Sequence, residues 1–298
     1  MSATIYPGKA AVETYGWLQA HKWLLLRRLS QTSIFVLFLL GPMAGIWIIK
    51  GNLASSLIFD VLPLSDPFLL LQSLFAGHAL ETTLMTGTLI VTVFYLLVGG
   101  RVYCSWVCPL NMVTDLAARL RGKFKIKGGI HFSRQLRYWV LGMTFIMATV
   151  TGTMAWELFS PVSAVQRGII FGMGSIWIIV MAVFVFDLFI SRHGWCGHLC
   201  PVGAFYSILA IPSLVRVSAV NRDQCDDCMD CFTVCPEKQV INPALKGQEF
   251  NRGPVILSAN CTNCGRCIDV CAKEVFKFSH RFKNSSHIPV VGNKEARS

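Results

Sequence analysis

Two runs of four cysteines constrain this chain more than any other feature. Cys225, Cys228, Cys231 and Cys235 follow the pattern C-x2-C-x2-C-x3-C, closed by Pro236, and Cys261, Cys264, Cys267 and Cys271 repeat it. The spacing matches the bacterial ferredoxin pattern. Three cysteines at such intervals wrap a tight loop, so three thiolates reach three irons of one cubane while backbone N–H groups point at its sulfides. The fourth cysteine is expected to start a helix and reach the other cubane. Cys225, Cys228, Cys231 and Cys271 are therefore expected to hold one [4Fe–4S] cluster, and Cys261, Cys264, Cys267 and Cys235 a second. A zinc ribbon needs only two Cys-x2-Cys knuckles and leaves the remaining positions unexplained. Disulfides are disfavoured in a reducing cytoplasm. Ala272 stands where the first run has Pro236, but that proline turns the chain and is no ligand. The insert from Lys238 to Asn260 is longer than a minimal ferredoxin needs and is read as a short hairpin or a partner contact. Two such clusters side by side make a wire rather than a catalyst, because neither run leaves an open iron.

The rest of the chain is greasy. Hydrophobic residues make up 53% of the 298 and charged residues 14%, against about 25% charged in soluble domains. This excludes a disordered chain and argues against an ordinary soluble enzyme. A bilayer-spanning helix needs roughly 20 apolar residues. Four windows free of Asp, Glu, Lys and Arg approach or reach that length: Leu29 to Ile49, Thr82 to Gly100, Tyr138 to Trp156 and Gly168 to Phe186. The first is read as a retained anchor rather than a cleaved signal, for want of a small-residue cleavage site. Between the first two, Val61 to Leu80 is broken by Pro63, Asp66 and Pro67 and reads as a helix lying in the outer interface. A second outer loop runs from Leu158 to Arg167.

The fold class expected is mainly α and membrane-bound. Four transmembrane helices form two repeated hairpins, followed by a small C-terminal α+β double-cluster ferredoxin domain. The domain boundaries follow: 1–28 an N-terminal segment, 29–216 the membrane domain, 217–278 the ferredoxin-type domain and 279–298 a basic tail. The net charge of +11 sits at Lys9, Lys22, Arg27 and Arg28 and in the loop from Arg101 to Arg137. The positive-inside rule then places both termini in the cytoplasm of a multi-pass protein of the bacterial inner membrane. Topology and anionic lipid explain this charge without nucleic acid.

The second window exits into Tyr103-Cys104-Ser105-Trp106-Val107-Cys108-Pro109 and the fourth into Trp195-Cys196-Gly197-His198-Leu199-Cys200-Pro201. Each is an aromatic residue, then Cys-x3-Cys-Pro, then an amphipathic stretch, so the halves form a parallel repeat. On a helix, residues four apart face the same way. Cys104, Cys108, Cys196 and Cys200 are thus expected to converge as a third metal centre, iron–sulfur first, or as a redox dithiol. The bland alternative is a set of small buried hydrophobes. Copper or haem stay open at this point, though no Cys-x-x-Cys-His for covalent haem is present. A wire fused to a membrane domain needs a membrane-soluble donor, for which quinol is the obvious candidate. His78, Glu81, Glu157, Asp187 and His198, with His193 beside the last, are the proton-accepting candidates.

These motifs together resemble the NapH type of membrane polyferredoxin, within a wider group that includes NosR, MauN and CcoG. The likeness covers nearly the whole chain. NosR carries an extra flavin domain and CcoG an additional C-terminal domain, and both are lacking here. The resemblance implies a quinol dehydrogenase subunit that hands electrons to a NapG-like iron–sulfur protein, then to cytochromes and the periplasmic nitrate reductase pathway. It implies no catalytic residue. A CcoG-like copper reductase or assembly factor is the competing expectation, and a membrane anchor with purely structural clusters the third.

Overall fold

Caps and glycines decide where this chain turns helical. The computed structural model describes residues 7–79, 81–126, 129–130, 132–172, 177–247 and 252–282. Two short helices, α1 (Lys9–Tyr15) and α2 (Trp17–Ala20), lead into the long α3 (Lys22–Ala44). The first turn of α3 leaves N–H groups without helical partners, and a distant carboxylate satisfies two of them. Asp269 accepts the N–H of Trp23 at 3.1 Å and of Leu24 at 2.9 Å.

A three-stranded antiparallel sheet follows: β1 (Ile49–Gly51), β2 (Ser55–Ile58) and β3 (Leu62–Ser65), with Ile49 opposite Ile58 and Ser55 opposite Ser65. Asp66 then caps α4 (Pro67–Phe75), accepting the N–H of Phe68 at 2.9 Å, with Pro67 pre-set for the first helical position. Thus the stretch from Val61 to Leu80 is not one interface helix. Its first part is a strand, and its helix buries Phe68 in the main core. Helices α5 (Thr82–Val98), α6 (Leu110–Lys123) and α7 (Leu136–Thr151) come next, then α8 (Ala155–Phe159), α9 (Pro161–Phe171), α10 (Trp177–Val185) and α11 (Pro201–Leu209). The outer loop expected over Leu158 to Arg167 is therefore mostly helical.

The expectation of four transmembrane helices is corrected. Among the described residues, only α3 is long and apolar enough to cross a membrane by length and composition. The other windows hold shorter helices because glycine stops them. Gly152, at φ 63°, ends α7, and Gly172, at φ 64°, ends α9 before α10 begins. At 1.5 Å per residue, the 17 residues of α5 cover about 25 Å, short of the roughly 30 Å of a hydrocarbon core. A lack of charge marks what a segment tolerates, whereas a left-handed glycine marks where the helix stops.

Phe68, Tyr95, Tyr103, Leu110, Leu141, Val183, Val202 and Tyr206 form one core. Gly100 lets α5 dock on α11: a Cβ there would strike the carbonyl oxygen of Tyr206. Large apolar side chains stay exposed on α5, α7 and α10, among them Leu89, Trp139, Val150 and Ile178.

A second core of Val217, Ala219, Ile241, Leu245, Ile256, Val275 and Phe276 lies under the cysteine runs. Its frame is an antiparallel pair, β4 (Val215–Ala219) and β5 (Phe276–His280), with Val215 opposite His280 and Ala219 opposite Phe276. Short helices α12 (Asp230–Val234), α13 (Asn242–Leu245) and α14 (Arg266–Asp269) pack on it. The insert after the first run holds a helix, α13, among its described residues; its residues 248–251 lie outside them, as do Lys127, residues 173–176 of the fourth window and the basic tail from 283 onward.

Candidate metal centres

The two ferredoxin-like loops share one backbone trace. Asp227 and Met229 in the first run have φ of 54° and 64°; Asn263 and Gly265, at the same places in the second, have 47° and 72°. Alternating left-handed residues turn successive N–H groups toward one side, the form of an anion-binding nest. Cys231 lies in α12 and Cys267 in α14, whereas Cys235 and Cys271 follow the ends of those helices. The fourth cysteine of each run therefore closes a helix rather than starting one. It still reaches the other run. Cys235, Cys261, Cys264 and Cys267 line one cavity, and Cys231 feels the charges of Cys228, Cys225 and Cys271. Cys267 in turn feels Cys231, so the two sets adjoin.

The cysteines of the repeat also converge. Cys108 feels the charges of Cys104 and Cys200, and Cys196 those of Cys200, Cys108 and Cys104. The local winding was not expected. Both corners are single π turns, Tyr103–Val107 and Trp195–Leu199, closed by the N–H of Cys108 to Tyr103 and of Cys200 to Trp195, each at 2.9 Å. Such turns recur at functional sites. The Cys-Pro step has a capping logic: Cys200 caps α11, its Sγ accepting the N–H of Gly203 at 3.4 Å, and Pro201 takes the next position. Burial pushes the thiols of this group up, Cys200 to about 12. Thiolates here need a compensating cationic group.

A polar cavity lined by Cys104, Cys196, Arg101 and His193 shares a wall with the cavity of the second run, made of Pro236, Glu237, Thr262 and Arg266. The first corner also bonds directly to that run. Ser105 Oγ donates to the carbonyl of Thr262 at 2.8 Å, and Trp106 Nε1 to that of Asn263 at 3.1 Å. Buried charges fix the junction. Glu237 accepts Arg101 at 2.8 Å and Arg137 at 3.4 Å. Burial would raise its carboxyl, but Arg101 and Arg137 hold it below the usual range. Asp115 pairs with Arg266 at 2.6 Å and with Arg28. Burial opposes its charge too, yet Arg266, His193 and Arg28 bring Asp115 down to about 2.

Of the proton-accepting candidates, Asp187, His193 and His198 gather at the second cysteine corner, whereas the other three do not. His78 and Glu81 are exposed, and half-buried Glu157 is taken by Ser163 Oγ. Buried Asp187 accepts the N–H of Trp195 at 2.9 Å, so it anchors the second π turn. His198 sits in that turn, its ring pushed down by burial, and His193 lines the polar cavity. The residue missed is Asp66. Tyr206 donates its O–H to Asp66 at 3.0 Å and stacks on Tyr103 at 4.8 Å. Burial pushes Asp66 up to about 6. The Asp-Pro helix start was the signal available for it.

The donor chemistry fits iron–sulfur clusters: sulfur-only sets, a lined cavity and turned N–H groups. Among the described residues, no three or more His, Cys, Asp or Glu converge as ligands of a single metal ion would. A family described as a 4Fe-4S binding domain matches residues 80–127 and 171–216, the two halves of the repeat, and a 4Fe-4S dicluster domain matches 224–275. The ferredoxin-type protein NapH of Haemophilus influenzae is 46% identical over 284 residues, 95% of this chain and 99% of its own. The chain belongs to the NapH and MauN family of ferredoxin-type proteins. NapH of Escherichia coli is 45% identical over 94% of this chain and 96% of its own. The methylamine utilization ferredoxin-type protein MauN of Paracoccus denitrificans is 54% identical over 90% of this chain and 94% of its own. No solved structure matches. Family and donor sets together make this an iron–sulfur electron-transfer protein.

Proposed function

We propose that the chain is the membrane subunit that oxidises quinol and feeds electrons to an iron–sulfur partner. The observation that carries this is the ordered row of three cysteine sets. Cys104, Cys108, Cys196 and Cys200 adjoin Cys235, Cys261, Cys264 and Cys267, which adjoin Cys225, Cys228, Cys231 and Cys271. In this reading the last two sets hold [4Fe–4S] clusters and the first a third centre of the same kind. Bound there, the clusters supply one-electron transfer, into which the two-electron oxidation of a quinol can be divided.

The chain's own residues do the rest. Arg101 and Glu237 hold the first and second sets in contact. Asp66, half-buried beside Tyr206 with its carboxyl raised to about 6, joins the groups expected from sequence as a proton acceptor. Helix α3 anchors the chain in the bacterial inner membrane, and the exposed apolar faces of α5, α7 and α10 also call for an apolar surrounding. The Asp269 contact supports a ferredoxin-like domain, 217–278, on the side of the N-terminal end of α3. The basic residues there make that side cytoplasmic.

In this reading, which follows the NapH resemblance, the acceptor is a NapG-like iron–sulfur protein, with cytochromes and nitrate reductase beyond it. The 54% identity to a methylamine utilization protein favours a second reading, in which the same role serves methylamine oxidation. Anaerobic purification tests the core proposal. About four irons per cubane gives about twelve, falling to about eight in Cys104→Ser with Cys196→Ser, and a quinol added to the oxidised protein should bleach its visible absorption. Stoichiometric copper in place of the third set of irons, or no response to quinol, would defeat it. Growth of a deletion strain on nitrate or on methylamine separates the two acceptors.

A further inference from the structure

Arg27 lies in α3 and is wholly buried, with 0% of its surface exposed. Its Nε, Nη1 and Nη2 have no hydrogen-bond partner among the described residues. A guanidinium stays charged in a protein, and a buried charge without an anion is strongly destabilising. The other fully buried arginines are provided for. Arg101 and Arg137 face Glu237, and Arg216 donates to the carbonyls of Ala210 and Ser258. Among the described residues, the fold therefore leaves this buried cation without a hydrogen-bonded anion; Asp115, whose charge reaches it, is held by Arg28 and Arg266.

Its position says which partner. Three residues before it, Leu24 is tied to Asp269 beside Cys267. Four residues after it, Gln31 donates to the carbonyls of Ser105 and Cys108 at 3.1 Å each. Trp23 lies so close to Gly265 that a Cβ there would meet its side chain at 2.7 Å. Arg27 is thus held between the second cysteine run and the first Cys-Pro corner, and its charge reaches Cys264.

We propose that Arg27 is the cationic partner of the cluster held by Cys235, Cys261, Cys264 and Cys267, and that it sets this cluster at a higher reduction potential than the one held by Cys225, Cys228, Cys231 and Cys271. This rests on the ligand sets proposed above. A cubane with four thiolates is an anion, and one added electron makes it more negative by one charge. A fixed buried cation favours the reduced form, and net charge and hydrogen bonds to sulfur are what tune such centres. The two loops differ in the same sense. Between its cysteines the first run carries Asp226, Asp227 and Asp230; the second carries Thr262, Asn263 and Arg266. Acids around one cluster and two arginines near the other rank the pair, with the more oxidising cluster next to the corner cysteines.

The test uses the full chain, purified anaerobically in detergent, with Arg27→Gln and Arg27→Lys beside the wild type. Iron and acid-labile sulfide are counted, and the clusters are titrated by potential under low-temperature EPR. Arg27→Gln is expected to keep its iron and shift one midpoint to more negative potential, leaving the others in place, while Arg27→Lys restores most of the shift. Loss of about four irons in Arg27→Gln, regained in Arg27→Lys, also supports the inference. Superimposable titrations at full iron content would overturn it, as would the same loss of iron in both variants. A wild-type chain without iron would instead bring down the ligand sets, and this inference with them.

Discussion

Replacing Glu237 by Gln is the sharpest probe of how the two halves are joined. The substitution keeps the shape and removes one charge. It leaves Arg101, 2% exposed, and Arg137, 0% exposed, facing a neutral amide. Breaking a buried ion pair from one side costs about 3–5 kcal/mol. The loss here falls at the low end, because Arg101 still donates to the carbonyl of Asn260 at 2.8 Å and Arg137 to its side chain. About 3 kcal/mol is expected, which at about 2 °C per kcal/mol in a large domain lowers Tm by about 6 °C. The assay is thermal unfolding of anaerobic, detergent-solubilised protein, read by tryptophan fluorescence, with Arg101→Gln and the double variant completing the cycle. Trp106 reports directly, since its indole bonds across the junction. If Glu237 carries the junction, the double variant should lose clearly less than the sum of the singles. A Glu237→Gln protein melting within about 1 °C of wild type, or strictly additive losses, would refute the reasoning.

Three further outcomes follow from the same geometry. Asp66 has its carboxyl raised from 3.8 to about 6 by burial, so its ionisation opposes folding as pH climbs. Asp66→Asn should match wild-type stability below about pH 4 and gain about 3 kcal/mol by pH 7. Tm measured against pH decides, and a flat difference would contradict the raised carboxyl; loss of quinol oxidation alongside the gain would mark Asp66 as the proton acceptor. Gly265→Ala should cost about 2 kcal/mol, from its φ of 72° and the Trp23 contact, whereas Met229→Ala at the equivalent turn should be near neutral; equal melting of the two would break the argument. Gly100→Ala should destabilise by about 3 kcal/mol through overpacking against Tyr206, and an unchanged Tm would show that α5 and α11 can part without loss.

What the sequence disclosed was chemistry at fixed spacing. The offsets of Cys225 to Cys235 and Cys261 to Cys271 raise the expectation that Cys235 crosses to the other run; in the fold, Cys235 lines a cavity with Cys261, Cys264 and Cys267. The repeated Cys-x3-Cys-Pro raises the expectation that the four corner cysteines converge. The π turns did not show, because nothing in spacing separates i+4 from i+5 winding. Absence of charge over 168–186 suggested one helix, but Gly172 has the left-handed conformation that ends it. The strand Leu62–Ser65 was taken for helix because a short apolar run carries no period of its own. Arg27, Glu237 and Asp66 escaped notice for a different reason. A charged residue at the edge of an element looks like a boundary in the sequence, and only the packed fold shows that Arg27 and Glu237 are inside and Asp66 half-buried.

The carboxylate that closes the first turn of α3 follows Leu24 by 245 residues. A ribosome therefore releases the anchor helix long before the group that finishes its beginning exists. Until Asp269 has been made, the N–H groups of Trp23 and Leu24 lack this partner. The beginning of this helix is thus fastened by one of the last residues of the ferredoxin-like domain, and the two ends of the chain are tied into one unit.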